Sequence, residues 1–316
     1  MKVIHILNIP NYYASYYLHG LNQEFKVLFK MDKAFIKYNN KPLLIFKVDQ
    51  KIAVIDNDDP VNVVQELYDI ADVYFVTNKL IDNKSYQQAK VKPLFPHYPI
   101  NILPLYLKLF NFQLIKFLKL KSLAKEMYVY YRRPKYEACQ IANNQDNYIF
   151  FSSNIWKKEP ETNTIRAEFI RYCKADNRIN FEGGFIPRSD GNNFGFENEL
   201  NNTKYPPKEF SRLSKKSKLV LNNPAVCGAV SWRLAEYLNQ GLFVVSFPFK
   251  IELPVALEHE KEVYYIENTK LFPEVFNKVL EATDYHQNIS KAAKNYFQQY
   301  STPKAQANYI IKTLSN

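Results

Sequence analysis

Two groups of polar residues in this 316-residue chain are spaced as reactive groups are. The first is Asp56, Asp58 and Asp59 in KIAVIDNDDP, where an apolar run delivers three carboxylates to its C-terminal end, the edge at which open α/β sheets place ligands. An Asp-x-Asp pair such as Asp56 and Asp58 can hold a divalent cation against a diphosphate, and Asp56 or Asp59 alone can serve as a general base toward an acceptor hydroxyl. The same residues also suit an Asx turn and a cap for a helix over VNVVQELYDIA. The second group is Ser231, Arg233 and Glu236 in SWRLAEYLNQG. They stand at or just inside a helix start, where free N–H groups favour an anion and a carboxylate can accept both hydrogens of a cis-diol.

A third cluster joins these two. FSSNIWKKEP places Ser153, then Lys157 and Lys158, after a strand, and TNTIRAEFIRYC carries Arg166 on the helix that follows, with Thr162 or Asn163 as its cap. A helix start with a guanidinium fork beside it suits a diphosphate, although Arg166 is equally read as a solvated helix residue.

The elements that must position these groups alternate as strands and helices. Residues 217–254 read strand, loop, helix, turn, strand, with Gly241 where a helix end needs positive φ, which makes a βαβ unit. Ahead of it lie the strand NYIFFSS, the strand RINFEG ending at Gly183 and Gly184, a polar loop over 190–207 and the basic helix KEFSRLSKKSK. The first half opens with KVIHIL, a helical pattern in NYYASYYLHGL and FKVLFKM, and continues through IDNDDP to the strand ADVYFVTN. The loop NIPN after the first strand has no glycine, so a dinucleotide fingerprint is absent, and seven glycines in the whole chain leave little room for a glycine-rich phosphate cradle. The C-terminal residues read as two or three helices, Pro303 starting the last.

Bulk properties narrow the partners. At 47% hydrophobic and 16% aromatic residues, disorder is excluded, and a formal charge of +11 calls for an anionic partner. Cys139, Cys173 and Cys227 form neither a zinc spacing nor a disulfide framework, which fits a reducing, cytoplasmic compartment. The N-terminus reads as a buried strand and not a signal peptide, and no run reaches the roughly 18 apolar residues of a membrane span. Residues 100–135 interleave Leu, Phe and Ile with eight basic residues and one acid, Glu126. A basic amphipathic helix of this kind lies on an anionic membrane surface or packs with its lysines solvated. No nucleic-acid motif accompanies it, and no nucleic-acid partner is expected.

NYIFFSSNIW, TIRAEFIRYC and NRINFEGGF, followed by SKLVLNNPAVCGAVSWRLAEYLNQGLFVVSFP and IELPVALEHEKEVYYI, resemble the nucleotide-sugar-binding half of GT-B glycosyltransferases. The nearest likeness is to exostosin-like and fucosyltransferase-like members of bacterial surface-polysaccharide pathways. The resemblance implies an α/β fold of two Rossmann-like domains with a cleft between them: an acceptor-side domain over 1–145, a donor-side domain over 146–295, and a helix over 296–316 that crosses back. It implies a UDP- or GDP-linked sugar as donor, a glycan or lipid-linked glycan as acceptor, and hexosyl or deoxyhexosyl transfer without a metal, in the cytoplasm or at the inner membrane face. Glu236 then matches the glutamate that binds the ribose. Ala229, Val230, Ser231 and Arg233 match the loop that holds the diphosphate and donor sugar, and Glu252 in FPFKIELP matches the acid facing that sugar. Retaining members pair two glutamates with seven residues between them, and here the partner position is Gly228. Two other classes compete: a metal-dependent GT-A transferase using Asp56 and Asp58, and a basic membrane- or nucleic-acid-binding protein without catalysis.

Overall fold

The computed structural model of the protein describes residues 2–59, 61–141 and 146–316. The first half is built on a six-stranded sheet of β1 (Val3–Ile6), β2 (Lys26–Phe29), β3 (Leu43–Val48), β4 (Lys51–Asp56), β5 (Val73–Val76) and β6 (Val91–Pro93), in the order β2-β1-β3-β4-β5-β6. β1 and β2 are parallel, as are β4, β5 and β6, but β3 runs antiparallel to both of its neighbours. The β3–β4 hairpin turns through Asp49, whose φ of 54° an aspartate tolerates. It reverses the chain so that Asp56 emerges at the same edge as the ends of β1 and β5.

The second half holds β7 (Tyr148–Asn154), β8 (Asn180–Ile186), β9 (Leu219–Asn222), β10 (Phe243–Ser246) and β11 (Tyr264–Tyr265) in a two-stranded and a three-stranded sheet. β7 pairs with β8, and β9, β10 and β11 pair in that order, every pair parallel. The two ladders meet where Lys218 N–H donates to Tyr148 O (2.7 Å) and Phe150 N–H to Ser217 Oγ (2.9 Å). The α/β class expected from the sequence, with an open sheet in each half and a cleft where their strand ends face each other, is thus what the structure shows.

Helices cover both sheets: α1 (Ser15–Glu24), α2 (Gln65–Ile70), α3 (Leu103–Phe110), α4 (Gln113–Phe117), α5 (Leu120–Arg132), α6 (Pro160–Ala175), α7 (Pro207–Lys216), α8 (Arg233–Gln240), α9 (Phe272–Glu281), α10 (Thr283–Tyr296) and α11 (Pro303–Ser315). One hydrophobic core runs through both halves, taking Ile4, Ile55 and Phe75 from the first sheet together with Leu234, Leu238 and Val244 from the second half. α11 lies on α1 so closely that a Cβ at Gly20 would sit 2.0 Å from Pro303 O, and Tyr16 donates to Ser301 O at 2.6 Å. The boundary expected at 145/146 abuts residues 142–145, which lie outside the described residues.

Several local readings of the sequence change. Residues 100–135 form three helices instead of one, because Asn111 takes φ 38° and Lys119 is extended. Gly183 and Gly184 lie inside β8 and do not end it. Their φ values of 121° and 136° are open to glycine, and a Cβ on Gly183 would meet Phe151 O at 2.0 Å. α6 begins at Pro160, so Thr162 and Asn163 lie within it. Asn163 instead brackets Trp156, accepting from its N–H (3.0 Å) and donating to its carbonyl (2.7 Å). The Asp56 turn forms as an Asx turn, with Asp58 N–H donating to Asp56 Oδ1 at 3.0 Å, but α2 starts after Val64 and none of the aspartates caps it. Among the described residues no helix is long and apolar enough to cross a membrane.

Candidate active site

The C-terminal ends of β4 and β5 face those of β9 and β10 across a seam, and backbone pairing closes part of it. Ile81 N–H donates to Lys250 O (2.9 Å) and Glu252 N–H to Lys79 O (2.8 Å), flanking an antiparallel bridge between Leu80 and Ile251. Val230 N–H donates to Asn78 Oδ1 at 3.0 Å. The buried Lys79 ammonium pairs with the Glu252 carboxylate, so Glu252 is engaged in joining the two halves.

Beside this seam stands the start of α8. Ser231 Oγ accepts from Arg233 N–H (3.3 Å), and Gly241 ends the helix at φ 64°, ψ 47°, as the pattern SWRLAEYLNQG requires. Trp232 packs edge-on against Tyr12 and Tyr13 in the loop after β1, with ring centroids 6.4 and 5.0 Å apart. The Arg133 guanidinium lies over both sides of this cluster, 5.4 Å from the Trp232 ring and 5.8 Å from that of Tyr12. Tyr12 is itself fixed by its N–H, which donates to Glu126 Oε2 at 2.8 Å.

Glu236, one turn into α8, lies on the wall of a pocket of about 470 Å³ that Tyr98, Arg133, Lys208, Ser211 and Arg212 also line. Burial raises its pKa, opposed by Ser211 and by the charges of Arg233 and Arg133. Arg166 approaches from α6. It is buried, donates from Nη1 to Asn154 O (2.9 Å) and stacks 3.9 Å from the Trp156 ring centroid, while its Nε has no hydrogen-bond partner. Burial, and then the neighbouring Arg233, bring its pKa down to about 9. Arg233 in turn rests 4.2 Å from the Phe210 ring centroid. Two guanidinium groups that repel each other, and a third beyond Glu236, are therefore gathered about the first turn of α8.

The acidic turn closes the end of β4. Asp56 is buried, accepts from Tyr74 OH (2.6 Å) and from Asp58 N–H, and is pushed up to about 6 by burial. Asp59 is exposed, its pKa raised by partial burial and then by Asp58. Asp59 and Asp58 both act electrostatically on Tyr13, the ring that meets Trp232 edge-on. Of the residues singled out from the sequence, the structure thus brings Ser231 and Glu236 to Arg233 at the start of α8, with Arg166 beside Arg233, while Asp59 lies near Tyr13. Ser153 is buried at the end of β7, Lys158 is exposed ahead of α6, and Glu252 belongs to the seam. No group of three or more His, Cys, Asp and Glu among the described residues is placed to hold a metal ion.

Tyr12, Tyr13, Trp232 and Arg133 were not singled out for the site. A signal existed for the tyrosines, since NYY lies in the loop that follows the C-terminal end of β1. Arg133 has none, being one of eight basic residues in its stretch until α5 carries it to the cleft.

Scans against protein families and curated proteins find no match. Among solved structures, the chain is similar to Anabaena HepE in complex with UDP-glucose, at 14% identity over 80% of this chain and 66% of that one, with a TM-score of 0.44. It is also similar to Staphylococcus aureus MnaA in complex with UDP (10% identity, 100% and 98% covered, TM-score 0.41). A third similar structure is the C-terminal domain of LpcC, a glycosyl transferase group 1 family protein of Francisella tularensis (11% identity, 51% and 95% covered, TM-score 0.33). This chain thus spans slightly less than two thirds of HepE. Likenesses this distant carry no information about substrate.

Proposed function

We propose that the protein is a GT-B glycosyltransferase that moves a hexosyl or deoxyhexosyl group from a UDP- or GDP-linked donor to a glycan or lipid-linked glycan of a surface polysaccharide, in the cytoplasm at the inner membrane face. The observation that carries this reading is the placement of Arg233 and Arg133 beside the Glu236 carboxylate on α8, with Arg166 beside Arg233. Mutually repelling guanidinium groups held in place by the fold are a built receptor for a multiply charged anion, and the donor diphosphate is such an anion.

In this reading the diphosphate sits at the α8 N-terminus between Arg166 and Arg233, and Glu236 accepts hydrogen bonds from the two ribose hydroxyls. The acceptor hydroxyl gives its proton to Asp59 as its oxygen attacks the anomeric carbon. The bond from that carbon to the diphosphate oxygen breaks, and the developing negative charge meets the guanidinium groups and helix N–H groups. Asp56 holds the turn that presents Asp59. The metal-dependent alternative requires Asp56 and Asp58 as paired ligands, and transfer that survives EDTA would remove it. A thermal-shift screen across UDP-, GDP- and CMP-sugars tests the proposal, followed by the anomeric configuration of the product. Stabilisation by none of them removes it.

A further inference from the structure

We propose that the outer faces of α4 and α5 are a docking surface for an anionic phospholipid bilayer. Fifteen large hydrophobic residues are exposed among the described residues, and seven of them fall within 107–131. The most exposed are Phe112 (67%), Ile115 (69%), Leu120 (73%) and Tyr131 (73%). Soluble proteins expose such side chains singly, and a concentration of this kind marks an interaction site.

The arrangement on α5 indicates what the surface meets. At about 3.6 residues per turn, Leu120, Ala124, Met127 and Tyr131 form one line along the helix, and Lys121, Lys125 and Arg132 form a second line about 100° round its axis. All seven are exposed. The third side, with Leu123, Glu126 and Tyr130, turns inward to the core. α4 and the residues flanking it add Phe112 and Ile115 with Lys116 and Lys119. Glu126, the only acid in residues 100–135, is buried and holds Tyr12 N–H, so the outward face carries no exposed carboxylate. An apolar stripe edged by lysines, with Tyr128 and Tyr131 among them, matches a bilayer surface: the apolar side chains enter the acyl boundary while the cations stay among anionic headgroups. A polyphosphate strand would leave the aliphatic side chains Ile115 and Leu120 without a partner, and an acidic protein would leave the cationic line no better matched than the headgroups do.

The inference rests on this surface and not on the transferase reading, and it adds a consequence to that reading. The helix that lies on the bilayer is the one whose inner face fixes Tyr12 and whose C-terminal end delivers Arg133 to the cleft. An acceptor anchored in the bilayer would meet the site through α5.

Co-sedimentation of the full chain with vesicles tests it, comparing phosphatidylcholine alone with the same lipid containing phosphatidylglycerol. Binding to the anionic vesicles is expected, weakening as salt is raised, with little to the neutral ones. Replacing Lys116, Lys119 and Lys121 together by Gln should lower it about a hundredfold. Phe112→Ser with Ile115→Ser should remove the part that survives high salt, and Lys291→Gln with Lys312→Gln on the C-terminal helices should leave binding as it was. An unchanged Tm and circular-dichroism spectrum in each variant shows that the fold is intact. Equal binding to both vesicle types, or an equal loss in the control pair, overturns the proposal. It also falls if vesicles are not bound and Phe112→Ser instead dissolves a dimer, which would assign the face to a second copy of the chain.

Discussion

The Tyr13 ring meets Trp232 edge-on, with centroids 5.0 Å apart at an interplanar angle of 71°, and this contact joins the loop after β1 to the start of α8. Trp232→Ala removes it, together with the Tyr12 contact and the surface on which Arg133 rests. The expected cost is about 2 kcal/mol, below the range for fully buried aromatics because Trp232 is half-buried. Urea unfolding should show this as a lower midpoint at unchanged m, and Trp232→Phe should recover most of it.

Glu126 yields a pH signature. Burial pushes its carboxyl up to about 7, although it accepts the Tyr12 N–H. The folded state therefore binds this proton more tightly than the unfolded chain does, and stability from this residue is lost as pH rises from the ordinary glutamate value near 4.5 through about 7. The loss is on the order of 3 kcal/mol. Glu126→Gln keeps an acceptor for Tyr12 and removes the titration, so its Tm should exceed that of the parent at pH 8 and converge with it near pH 4.5. Parallel Tm curves across this range would exclude the assignment.

The two sheets differ in how far they could be read from the sequence. β9, α8 and β10 were legible because Gly241, the apolar spacing of Leu234, Ala235 and Leu238, and the run FVVS all point to one arrangement. β3 was not recognised. LLIFKV reads as a strand only once Asp49 is seen to turn the chain, and nothing local distinguishes that aspartate from one in a loop. The helix positions of Arg166, Arg233 and Glu236 were legible from the sequence. The ion pair of Glu252 with Lys79 was not, since the two are 173 residues apart in the chain and only the folded seam brings them together.

That pair makes an asymmetric prediction. The Lys79 side chain is 9% exposed and the Glu252 side chain 45%, so removing the acid strands a buried ammonium, whereas removing the lysine leaves a carboxylate that water can reach. Glu252→Gln should cost about 2 kcal/mol and Lys79→Met less than half of that. Chemical unfolding of both variants checks the order, and a stable Glu252→Gln protein that has lost only transfer would return Glu252 to the donor sugar.

Asp59 and Asp56 should separate by kind of effect. Asp59→Asn is expected to lower kcat at least about a hundredfold with nucleotide affinity unchanged, because a proton acceptor acts in the reaction and not in donor binding. Asp56→Asn should instead lower stability through its bond to Tyr74. Steady-state kinetics beside nucleotide titration distinguishes the two.

Glu236 is the carboxylate proposed to meet the nucleotide at α8. Calorimetric titration of the full chain with UDP and GDP, repeated on Glu236→Ala, tests it most directly. One nucleotide should bind the parent, and the variant should bind it at least about tenfold more weakly while keeping its fold, as two hydrogen bonds to an ionised acceptor are lost. Binding of neither nucleotide, or equal affinity in parent and variant, would contradict the account.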